Sequence, residues 1–122
     1  MNKKAGRKYD REDDEEYMLD AIYADIKNYS GVLGDLATRS ALRYRDLERL
    51  QEMREVELSH VVLLLEDVEG FDRVNKLVNS IWDLTELTEV ATGLSKQRRQ
   101  IEEIVYANEK CNTVLALLDE RR

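Results

Sequence analysis

Proline is absent from this chain of 122 residues, and cysteine, histidine, tryptophan and phenylalanine occur once each. One cysteine forms neither an internal disulfide nor a four-cysteine zinc site. Without proline, and with only five glycines, the chain lacks the punctuation of a turn-rich β-sandwich or a flexible linker. The longest apolar run, residues 61–65, falls far short of the ~20 residues that span a bilayer. Residues 1–10 are polar and contain no apolar stretch of the secretory kind. No glycine-rich phosphate loop, zinc-ligand spacing or H-E-x-x-H element occurs. These absences lead us to expect a cytoplasmic, non-enzymatic protein of one domain, with no cofactor, no bound metal and no membrane contact.

What the chain has in quantity is charge. Charged residues make up 37% of it, and acids outnumber bases 26 to 19, a formal net charge of −7. The distribution is uneven. Residues 1–9 contain Lys3, Lys4, Arg7 and Lys8 and no acid, and are expected to form a disordered basic arm. Residues 10–16 carry six carboxylates, which suit the positive end of a helix dipole. The helical domain therefore starts near residue 10 and runs to 122.

Within it, apolar spacing predicts four helices, over about 10–29, 35–69, 72–92 and 95–119. Met18, Ile22, Ile26 and Tyr29 form the first stripe. Gly31 and Gly34 read as a loop, with Asp35 as the next cap. The second stripe runs through Leu36, Ser40, Tyr44, Leu47 and Leu50, weakens at Arg54, and resumes at Leu58, Val61, Leu65 and Val68. A helix over 35–69 would be ~50 Å long, too long for a compact globule of this size. Gly70 and Gly93 mark the remaining stops, and Ser95 offers a cap. Ile101, Ile104, Asn108, Cys111, Leu115 and Leu118 follow a heptad 3-4-3-4-3 spacing and are expected to form a self-association seam. The expected fold is all-α, an elongated three- to four-helix bundle with coiled-coil-like packing, working as a homo-oligomer. A small, acidic, proline-free and heavily charged chain has the composition common among phage and mobile-element accessory proteins.

Several residues have the chemistry for a site, and each also has a plainer role. Cysteine–histidine catalysis would need Cys111 and His60 to meet, yet a cysteine on an apolar seam usually serves as a small hydrophobe. Glu57 and His60 form an E-x-x-H element, which places carboxylate and imidazole on one helix face. Two copies in a dimer, with further glutamates, would resemble a ferritin-like di-iron bundle; the plainer role is a surface pair. Asn108 either sits loosely exposed or fixes the register of a helix pair.

Lys96, Arg98 and Arg99 crowd an expected helix N-terminus, which suits an anion such as a nucleic-acid phosphate. Glu102, Glu103 or acids of the long second helix would neutralise them otherwise. Residues 87–95 with a helix from Lys96 faintly resemble a helix-turn-helix, although only Thr92 separates Ala91 from Gly93 where that motif has three residues. The overall acidity opposes duplex binding. The acidic run at 10–16 is either a solvated helix start or a docking strip for a basic partner, and the arginines spread through 39–54 speak against a nucleic-acid mimic. The leading expectation is therefore an adaptor or regulator that contacts another protein through Tyr23, Tyr29, Trp82 and the stretch Val61–Leu65, part of which must instead be core. The alternative is a nucleic-acid-binding regulator using Lys96, Arg98 and Arg99.

Overall fold

The computed structural model describes residues 8–84 and 87–121, with side chains from residue 14. Residues 1–7 of the expected basic arm lie outside the described residues. The fold is all-α, and no strand occurs among the described residues. Among the described residues five α-helices follow in order: α1 (Lys8–Ala37), α2 (Tyr44–Met53), α3 (Ser59–Glu66), α4 (Asp72–Leu84) and α5 (Leu94–Arg121). A π-helical turn, Arg54–Leu58, joins α2 and α3 into one rod. Four rods result, and each lies antiparallel to its neighbours. Asn28 meets Glu57 across the first pair, Gln51 meets the Leu87 carbonyl across the second, Lys110 meets Ser80 across the third, and Arg121 meets Glu15 across the fourth. The contact of α1 with α5 is the most extensive. At ~1.5 Å per residue these two helices are each ~40–45 Å long.

The first expected break is absent: α1 runs through Gly31 and Gly34 to Ala37. Leu33 and Leu36 continue the stripe of Ile22, Ile26 and Tyr29 in 4-3-4-3 register, and all five are buried. Burying two leucines stabilises by ~1.5–3 kcal/mol each, against ~1 kcal/mol per helical glycine. Packing therefore outweighs propensity. The helix closes where the Thr38 hydroxyl donates to the Asp35 carbonyl at 2.7 Å. Asp35 is thus part of the end of α1 and not the cap of the next helix.

The second rod starts at Tyr44 instead of 35. Its N-terminus is held by Asp46, which accepts a bond from the Arg43 backbone N–H at 2.9 Å and pairs with Arg39 at 2.9 Å. Asp46 is the one buried charged residue among the described residues. The weak point in the stripe at Arg54 has a structural cause. Buried Met53 and buried Leu58 lie five residues apart, one more than an α-turn accommodates, and the π turn absorbs the extra residue. Arg54 lays its guanidinium over Trp82, 5.0 Å from the ring centre. Gly70 adopts a left-handed conformation (φ +86°) in the turn into α4, as expected, although α3 stops at Glu66. Helix α4 ends at Leu84, so the helix expected to reach 92 is shorter, and residues 87–93 carry no helix.

Candidate interaction surfaces

The seam expected to join two copies is used inside one. On α5 the fully buried line is Ile104, Ala107, Cys111, Val114 and Leu118, a heptad spacing that faces α1 and α4. Ile101, Asn108 and Leu115 flank this line half-buried. The sequence pattern found the right helix and period, but the face is turned toward Ala107 and Val114. Asn108 accepts a bond from the Ser30 hydroxyl at 2.6 Å, so it ties α5 to α1 within the chain. A β-carbon built on Gly34 would lie 3.7 Å from the Asn108 amide nitrogen, so the small residues Ser30 and Gly34 make room for α5.

The expected aromatic anchors are also largely committed. Tyr29 is wholly buried, and its place in the core removes it as a contact surface. Tyr23 and Trp82 are half-buried and pack against that core. Large side chains that do face outward include Val56, 69% exposed, and Leu63, 63% exposed, on the second rod, Leu94, 80% exposed, at the head of α5, and the rings of Tyr17, Tyr44 and Tyr106. Helix phase explains Leu63. Val61 and Leu65 point inward, which turns the residue midway between them outward.

Glu57 and His60 do not form an interior metal element. Both face the α1 edge, where Glu57 accepts bonds from the Asn28 amide at 3.3 Å and His60 meets Asp25 at 3.2 Å. No group of three potential metal ligands occurs among the described residues. Cys111 lies buried on α5, away from this edge, and burial pushes its thiol up to about 12 from the usual 9.0. A protonated, enclosed thiol is a poor nucleophile.

At the other end of the molecule, Gly93 (φ +87°) precedes α5, and its carbonyl accepts the Gln97 backbone N–H at 3.1 Å. Ser95 is consequently exposed in the first helical turn and does not cap it. Gln100 holds the preceding strap by donating to the Glu89 carbonyl at 2.8 Å. Strap and helix enclose an open groove of about 450 Å³ edged by Val90, Lys96, Arg99 and Glu103. Lys96, Arg98 and Arg99 are all exposed, and among the described residues no ion pair neutralises them. The helix-turn-helix likeness fails here, because its first helix would occupy the non-helical strap.

No protein-family model matches this chain, and no curated protein or solved structure is significantly similar to it. No helix among the described residues is long and apolar enough to cross a membrane.

Proposed function

We propose that this protein is a non-enzymatic adaptor or regulator that acts by presenting a helix face to another protein. The observation that carries this reading is the pair Val56 and Leu63, large apolar side chains standing exposed about two turns apart on a rod whose other exposed residues are mostly charged. A partner helix or groove that covers them gains apolar burial of ~1.5–3 kcal/mol per side chain. The inert Cys111 and the solvent-facing His60 support a non-enzymatic role, and a lone enclosed thiol suits a reducing, cytoplasmic setting.

The test uses paired baits, the full chain and its Val56→Glu/Leu63→Glu variant, for capture from the native host. The expected outcome is one protein enriched by the first bait and lost with the second. Equal recovery with both baits would refute the reading. Both sites are exposed, so circular dichroism of the variant should match the parent.

The second reading is nucleic-acid binding at the head of α5, favoured by the three exposed, unneutralised cations there. It predicts a gel shift that weakens with salt and disappears in Lys96→Ala/Arg98→Ala/Arg99→Ala. No shift at low salt would end it.

A further inference from the structure

The antiparallel rods sort the charges to opposite ends. The start of α1, the α3–α4 turn and the end of α5 meet at one end, tied by Arg121, which reaches Glu15 at 3.2 Å and the Glu69 carbonyl at 3.3 Å. Residues 14–16, 66–73 and 117–121, all at that end, hold nine carboxylates against two arginines. The opposite end gathers residues 38–49 and 87–99, with seven cations against three carboxylates. The ends also differ in shape. Leu94 projects from the cationic end. The acidic end carries a cavity of about 340 Å³, lined by Phe71, Val74 and Leu117 with Glu120, Arg73 and Arg121 at its edge. Arg121 is already engaged by Glu15, and the other two rim charges, Glu120 and Arg73, balance, so the acidity belongs to the end as a whole.

We propose that the cationic end of one copy docks on the acidic end of a second copy, with Leu94 entering the Phe71/Val74/Leu117 cavity. The occupant is another copy of this chain because both complementary surfaces, in charge and in apolar shape, belong to the same molecule. Such a contact is heterologous: a docked pair still has one free end of each kind, so assembly is linear and does not stop at two. The end of a four-helix rod is small, which makes the contact weak and dependent on concentration. It involves the ends and not the Val56/Leu63 face, so its failure leaves the proposed adaptor role standing.

Sedimentation velocity of the full chain at rising concentration tests this. In low salt the weight-average mass should climb above 14.3 kDa without a plateau, and in high salt it should return to that value, because exposed charges are screened within ~10 Å or less. Leu94→Ser should abolish the growth. Lys96→Gln/Arg98→Gln/Arg99→Gln and Glu66→Gln/Glu69→Gln/Glu120→Gln should each be monomeric alone. Mixed, they retain one matching pair of ends, the cationic end of the second and the acidic end of the first, and should form a 1:1 dimer that grows no further. Circular dichroism verifies that each variant is folded. A single 14.3 kDa species at every concentration in low salt overturns the proposal. So does growth that ignores Leu94 and the end charges, which would indicate a side-by-side dimer.

Discussion

Gly31→Ala separates the continuous α1 from a loop at the same place. In the structure Gly31 is helical and exposed, and a β-carbon built on it meets nothing within 4 Å. Alanine should then gain the helix-propensity difference, ~0.5–1 kcal/mol. For a domain of this size that raises Tm by about 2–5 °C. Gly34→Ala should behave alike, because its new methyl group would lie in ordinary contact with Asn108 at 3.7 Å. Gly70 and Gly93 supply the opposite sign. Both hold φ near +87° (+86° and +87°), where an L side chain costs ~1–2 kcal/mol. Urea melts of the four alanine variants at fixed temperature are the assay, with an unchanged m value as the control for two-state behaviour. Stabilisation at 31 and 34 with destabilisation at 70 and 93 is the expected result. Loss of stability in Gly31→Ala would refute the helix through residue 31 and restore a break there.

Three further outcomes follow from the core and its edges. Asp46→Ala removes the bond to the Arg43 N–H and the partner of Arg39; with Arg39 partly solvated, the cost should be ~2 kcal/mol by urea melt, and Asp46→Asn should recover part of it. Cys111 should resist a thiol reagent until the chain unfolds. Below pH 9 its thiol is protonated in both states; between 9 and about 12 only the unfolded chain loses the proton, so stability should fall as pH rises, by up to ~1.4 kcal/mol per unit, and this component should vanish in Cys111→Ala. A double-mutant cycle of Ser30→Ala and Asn108→Ala should show a coupling of ~1 kcal/mol if their bond joins α1 to α5, and none if Asn108 is merely solvated.

The all-α class was legible because spacing of 3 and 4 between apolar residues is a property of the chain alone, and α5 shows it most clearly. The positive-φ turns at Gly70 and Gly93 were legible for the same kind of reason, since the backbone there needs a residue without a β-carbon. What the sequence left open was every choice between local preference and burial. Gly31 and Gly34 look like a loop until Leu33 and Leu36 find a core to enter. The irregular step at Arg54 is resolved by a π turn, because the rod must keep both Met53 and Leu58 on its inner side. Whether the heptad face of α5 meets a second copy or its own α1 and α4 is a question of what lies opposite, which spacing along one helix does not encode. The same limit applied to the candidate surfaces. Periodicity shows that a helix has an apolar side, while only the assembled rods decide that Tyr29 is enclosed and that Val56, Leu63 and Leu94 remain in water.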